Sequence, residues 1–361
     1  MAPARLFRRV ALRWAGKLLA AGCPALAIIV ACAGCGSGPG LAVRVAGSHL
    51  VDAQGQPIRL LGVDRSGAEY ACIHDQGFFA GPTSTQAVAA MTSWDINTVR
   101  LPLNEDCWLG INGAPARYSG ARYRAAIRQY VARLNHADLY VIMDLHWNAP
   151  GVAQATSQQP MADLDHARAF WSSVARAFKT DPAVIFDLYN EPHDISWQCW
   201  RSGCVLPEGW RTAGMQALVD AIRSAGADQP IIATGLNWGN DLSAWLRYRP
   251  SDPAGQLVAG LHVYNNQPCV AASCWNADVR RVARSVPAVA AEVGDTACSA
   301  AFVDSFMSWA DSVGVSYLGW SWDPAGCPGP ALISSWNGQP IGYGGVLRAH
   351  LRRLHTEQQG N

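Results

Sequence analysis

The sequence predicts a (β/α)8 barrel on three observations: eight short apolar segments, amphipathic stretches alternating with them, and polar residues gathered at the C-terminal ends of the apolar segments. Continuous apolar runs separated by helices are those of a parallel sheet covered on its outer face, and an eightfold alternation closes such a sheet. A doubly wound open sheet carries the same alternation, but no G-x-G-x-x-G phosphate loop opens the first helix.

In chain order, the first 35 residues read as an export signal. Arg5, Arg8, Arg9, Arg13 and Lys17 precede an apolar stretch from Leu18 to Ala33, with no acidic residue in the segment. The stretch is shorter than the roughly 20 residues that span a bilayer comfortably. It runs into ACAGCGSGPG, which leaves three outcomes open. Ala-Gly before Cys35 resembles a bacterial lipoprotein site and would anchor the protein by lipid to the outer face of the cell membrane, though Cys32 stands where an aliphatic residue is usual. Ordinary small-residue cleavage would free the protein outside the cell. An uncleaved anchor is the third.

Residues 36–42 form a short linker, and 43–361 read as one domain, expected to be a monomer. Residues 43–58 predict a hairpin turning at Ala53 to Gly55, placed as a plug under the barrel. Strands follow at 59–65, 98–103, 140–147, 184–192, 230–237, 257–265, 286–295 and 316–324. Helices are expected at 83–94, 119–137, 162–179, 209–226, 240–247, 275–285, 299–313 and 344–354, with Thr83 and Ser119 as caps of the first two.

Composition narrows the partners. Basic and acidic side chains number 28 and 27, and only two are lysines, Lys17 and Lys179. Nucleic acid is therefore excluded, since a polyphosphate ligand needs a basic surplus. Half the residues are hydrophobic, ample for a core, and 15% are charged. Fifteen tryptophans suggest flat stacking surfaces beyond core needs. Trp108, Trp147, Trp197, Trp200, Trp238 and Trp275 follow barrel strands and are candidates for a cleft.

Of eleven cysteines, Cys23, Cys32 and Cys35 fall in the signal, leaving an even eight: Cys72, Cys107, Cys199, Cys204, Cys269, Cys274, Cys298 and Cys327. Eight permit about 105 pairings. Cys199 with Cys204, and Cys269 with Cys274, would close tight local loops cheaply. Zinc is the rival, but these pairs lack the regular spacing and His or Cys complement of a tetrahedral site.

Arg100, His146, Asn190, Glu191, His262, Tyr264, Glu292 and Trp320 all fall at or near the C-terminal ends of strands two, three, four, six, seven and eight, the ends that face the site in a barrel. Taken singly, each has a plainer reading. Arg100 is a buried charge paired with a carboxylate, His146 a satisfied core histidine, Glu191 a helix cap and Glu292 a loop carboxylate. Asp144 and Asp187, earlier on their strands, read as structural. As a set they resist that reading, because a carboxylate emerging from an apolar strand such as PAVAAE is costly to bury unless paired or used.

The motifs TVRLPL, DLHW, LYNEP, HVY, AEVGD and WSWDP, in order and at barrel spacing from about residue 43 to 353, resemble those of glycoside hydrolase family 5, the cellulase family of retaining barrels. The resemblance implies Glu191 as acid/base, Glu292 as nucleophile, and Arg100, His146, Asn190, His262, Tyr264 and Trp320 as their surround. Ala291 and Val293 depart from the Gly and aromatic that usually flank the nucleophile in that family.

The chemistry accounts for the same set. Retaining cleavage of a glycosidic bond takes two carboxyls about 5–5.5 Å apart, one attacking the anomeric carbon while the other protonates the leaving oxygen. Arg100 and Tyr264 would favour the charged nucleophile. Asn190 suits the sugar 2-hydroxyl, Trp320 a platform under the ring, and the two histidines support. No metal or other cofactor is required. The expected substrate is a polysaccharide, first a β-1,4-glucan cut internally. β-Mannan, other β-glucans, exo action, and a surface carbohydrate-binding protein without catalysis remain as alternatives.

Overall fold

A computed structural model describes residues 40–359. The export signal and Cys35 lie outside the described residues. Among the described residues no helix is long and apolar enough to cross a membrane.

The chain enters through β1 (Arg44–Ala46), β2 (His49–Val51) and β3 (Pro57–Ile58), an antiparallel sheet in the order β1-β2-β3. The expected hairpin thus gains a third strand, because the Ala53 to Gly55 turn returns Pro57 and Ile58 against Val51 and Leu50. Then come β4 (Leu61–Asp64), α1 (Thr85–Thr92), β5 (Thr98–Asn104), α2 (Glu105–Leu109), α3 (Ala121–Asn135), β6 (Tyr140–Trp147), α4 (Ala167–Phe178), β7 (Val184–Asp187), α5 (Trp197–Ser202) and α6 (Gly214–Ser224). The second half holds β8 (Ile231–Thr234), α7 (Trp245–Tyr248), β9 (Leu257–Tyr264), α8 (Ala272–Ala277), α9 (Val279–Ala283), β10 (Ala288–Gly294), α10 (Ala300–Val313), β11 (Ser316–Gly319), the β12 (Ile333–Ser335) and β13 (Gln339–Pro340) hairpin, and α11 (Gly344–Gln359).

Strands β4 to β11 pair in parallel in sequence order. Tyr317 opposite Leu61 brings β11 back to β4 and closes the barrel. Strand alternation sorts the side chains: Val141, Met143 and Leu145 of β6 face the helices, while Ile142 points inward. Ile142, Ile185, Ile232, Val258, Val289 and Leu318 fill the lower barrel, and Val43 and Leu50 of the plug pack against them. The plug is where the sequence placed it.

Several boundaries differ from expectation. Ser84, not Thr83, caps α1, its side chain accepting from Ala87 N. Ser119 instead donates to the Ala114 carbonyl, and Gly120 precedes α3 without a side-chain cap. The helix expected over 275–285 breaks at Asp278 into two short pieces. That expected from 162 starts at Ala167, leaving 148–166 as a long loop after β6.

Candidate active site

The eight predicted residues converge on the C-terminal mouth of the barrel. Arg100 lies on β5, His146 on β6, His262 and Tyr264 on β9, and Glu292 on β10. Asn190 and Glu191 follow β7, and Trp320 follows β11. All except Arg100 and His262, which lie beneath them, line a cavity of about 830 Å³, within the usual range for ligand sites.

A β-bulge aims Glu292. Pairing with β9 shifts register between Ala290 and Glu292. Val289 and Ala291 face the barrel interior, so strict alternation would turn Glu292 outward. The extra residue turns it inward instead. Ala291, in the position before it, fills the lower apolar layer.

Arg100 is fully buried and is the hub. Its Nη1 donates to Glu292 Oε1 at 2.9 Å and to Asp64 Oδ1 at 3.0 Å, its Nε to Asp187 Oδ2 at 2.9 Å, and its Nη2 to Asn190 Oδ1 at 2.8 Å. Asp144 adds an ion pair at 3.2 Å. Both readings of Arg100 therefore hold, since it is a paired buried charge and also grips Glu292. Four carboxyls face one cation, and burial raises Asp144 and Asp187 to about 7 and Asp64 well above its usual range, against the pull of Arg100.

Glu292 also accepts from the Tyr264 hydroxyl at 2.6 Å. Burial, and then the charge of Glu292, raise Tyr264 well above its ordinary value, which keeps the hydroxyl a donor. Opposite stands Glu191, with His262 Nδ1 2.9 Å from its Oε1 and 3.5 Å from Glu292 Oε2. Carboxyl oxygens of the two glutamates lie within 4.8 Å of each other. Burial raises Glu191, with His146 and Arg100 opposing, and pushes His262 down to about 3, so its ring is neutral. Gly239, at φ +74°, lies against that ring, where a Cβ would come within 2.9 Å of His262 Cγ. His146 Nδ1 meets Asp144 Oδ2 at 2.7 Å, and its ring lies nearly parallel to that of Trp320, 5.3 Å between centres.

Two participants escaped the sequence reading. Asp64 ends β4 in the same manner as the chosen residues end their strands, a signal that was available. Gln158, in the 148–166 loop, carried none: its Oε1 accepts from Asn190 Nδ2 at 2.5 Å and its Nε2 donates to the Glu191 carbonyl at 2.8 Å. Of the six candidate tryptophans, Trp238 lines the cavity, stacked on His193 at 3.6 Å. Trp108, Trp200 and Trp275 are core residues. Their position after a strand does not fix their direction, and they turn into the helical layer, where Trp200 Nε1 donates to Thr234 O and Trp275 Nε1 to Cys269 O.

The eight cysteines form four disulfides: Cys72–Cys107, Cys199–Cys204, Cys269–Cys274 and Cys298–Cys327. The two local pairings are those that spacing favoured.

A closed parallel barrel with paired buried carboxyls at its C-terminal mouth is the layout of a glycosidase. The model of the cellulase family, glycosyl hydrolase family 5, matches residues 51–326, and the chain belongs to that family. Endoglucanase 1 of Saitozyma flava is 28% identical over 246 residues, covering 63% of this chain and 65% of that protein. Endoglucanase CelA of Streptomyces lividans is 25% identical over 291 residues, covering 78% of this chain and 56% of that one. A mannan endo-1,4-beta-mannosidase of Streptomyces lividans is 25% identical over 299 residues, covering 79% and 67%. The chain thus spans somewhat less than two thirds of the first two relatives. Among solved structures, a beta-glucanase from Saccharophagus degradans in complex with cellotetraose superposes with a TM-score of 0.68 at 18% identity. That match covers 87% of this chain and 94% of the other, a likeness of fold.

Proposed function

We propose that the protein is an exported, retaining endo-β-1,4-glucanase in which Glu292 is the nucleophile and Glu191 the acid/base. The observation that carries the mechanism is the separation of the two carboxyls, within 4.8 Å between oxygens. That spacing suits direct attack, whereas inversion needs about 6.5–9.5 Å to admit a water. Export is supported by the four disulfides, which persist in oxidising compartments.

Glu292, gripped by Arg100 and Tyr264, attacks the anomeric carbon as a carboxylate. Glu191, which burial holds toward its protonated form, gives its proton to the leaving oxygen. Having given up that proton, Glu191 is a carboxylate, and glycosylation has erased the charge of Glu292 that would oppose it. Glu191 then takes a proton from the attacking water as the bond between the sugar and Glu292 breaks. Neutral His262 is hydrogen-bonded through Nδ1 to Glu191 at 2.9 Å and adds no charge beside Glu292.

Family membership and the endoglucanase relatives support a β-1,4-glucan. The mannosidase relative supports β-mannan as the second reading. A polysaccharide panel with chromatography of early products separates these and reports endo or exo action. Nuclear magnetic resonance of the first product from a β-glucan is expected to show the β-anomer, and the α-anomer appearing first would overturn the mechanism.

A further inference from the structure

We infer that Gln158 is a substrate-contacting residue that accepts the hydrogen of the 2-hydroxyl of the sugar whose anomeric carbon lies between Glu191 and Glu292. The inference rests on the glycosidase reading above and deepens it. Arg100 fixes the Asn190 carboxamide by taking its Oδ1, which leaves Nδ2 as the donor toward the cavity. Gln158 Oε1 already lies 2.5 Å from that nitrogen, so a sugar hydroxyl accepting from Asn190 Nδ2 arrives within reach of the Gln158 oxygen. A hydroxyl there has one hydrogen to give. Arg100 and Asn190 Nδ2 offer only donors, and of the acceptors beside Asn190 Nδ2, Gln158 Oε1 at 2.5 Å is nearer than His146 Nε2 at 3.5 Å. Gln158 supplies the acceptor.

The backbone makes this placement firm. Gln159 N donates to the buried Tyr189 hydroxyl at 3.1 Å, and Pro160 O accepts from His193 N at 3.0 Å. Ala155 N donates to Asp106 Oδ2 at 2.8 Å, and the Ala155 carbonyl accepts from Asn104 Nδ2 at 2.7 Å. Gln158 Nε2, spent on the Glu191 carbonyl, fixes which end of its own amide faces the sugar. The site therefore demands a free 2-hydroxyl on the sugar that is attacked, and sugars substituted or deoxygenated there are poor substrates.

The test compares wild type and Gln158→Met on 4-nitrophenyl β-cellobioside and on its analogue lacking the 2-hydroxyl of the ring that carries the aryl group. The ratio of kcat/KM for the two substrates, taken on one enzyme sample, is independent of the folded fraction. The substitution is expected to lower kcat/KM about tenfold on the hydroxylated substrate and to change it less than about twofold on the deoxy analogue. An equal loss on both would overturn the role of Gln158 while leaving the glycosidase reading in place. A wild type that cleaves neither the cellobioside nor any polysaccharide of the panel would overturn both.

Discussion

Arg100 is one cation among four buried carboxyls, so its removal is expected to do more than weaken Glu292. Truncating one partner of a buried ionic cluster costs about 3–5 kcal/mol, because the remaining charges stay out of water. Arg100→Met should lose about that much stability in urea melts, together with turnover. The loss should grow with pH, since Asp64, Asp144 and Asp187 can relieve it only by holding protons. Arg100→Lys should not restore activity, because Glu292, Asp187 and Asn190 are each bonded by a different nitrogen of the guanidinium fork, and an ammonium places its donors on one atom. Glu191 must start protonated to act as the acid, and burial raises it. The alkaline limb of kcat/KM is therefore expected above the ordinary carboxylate range. Glu191→Gln should lower kcat/KM on polysaccharide by about 10²–10⁴ and erase that limb. A limb that stays in place in the variant would assign it to another group.

Elements carry the next effects. Glu105, in the first turn of α2, is fully buried. Burial, with Asp163 beside it, raises it well above its usual value. A carboxyl whose folded pKa exceeds its unfolded one binds more protons folded, so its contribution is complete below the unfolded value of about 4.3 and is lost as pH rises through the folded one. Glu105→Gln should therefore flatten the alkaline fall of melting temperature, and an unchanged fall would clear Glu105. Most strands and helices were legible because apolar runs and amphipathic periods fix element type. The strand ends marked the mouth for the same reason, since burying Arg100 or Glu292 needs a partner. What the sequence hid depends on contacts made in space. The bulge that turns Glu292 inward breaks the alternation that a pattern reader relies on. Gln158 sits in a loop whose course is set by Tyr189, Asp106 and Asn104 from other segments. The tryptophan reading held at Trp238 and failed at Trp108, Trp200 and Trp275, because sequence order gives a side chain's neighbourhood but not its direction.

Across the whole molecule, the two barrel ends are stabilised differently. The lower end is closed by packing, with Val43 and Leu50 of the plug against the inner apolar layer. All eight bonded cysteines follow the C-terminal ends of barrel strands, on the catalytic side. Cys72–Cys107 ties the loop after β4 to α2 across 35 residues, and Cys298–Cys327 joins the loops after β10 and β11 across 29. On the chain-entropy account, each of these contributes about 3.5–4 kcal/mol, and the two five-residue closures contribute about 2 kcal/mol each. Alkylation of denatured, unreduced protein should accordingly leave Cys72 to Cys327 unlabelled, as read by mass spectrometry. Reduction should act first where the bonds are, because the barrel strands and the plug contain none. In reductant, activity is expected to be lost at a lower temperature than the far-ultraviolet circular dichroism of the barrel, whereas in the oxidised protein the two should fall together. Coincident loss under both conditions would mean that the catalytic loops and the barrel unfold as one unit.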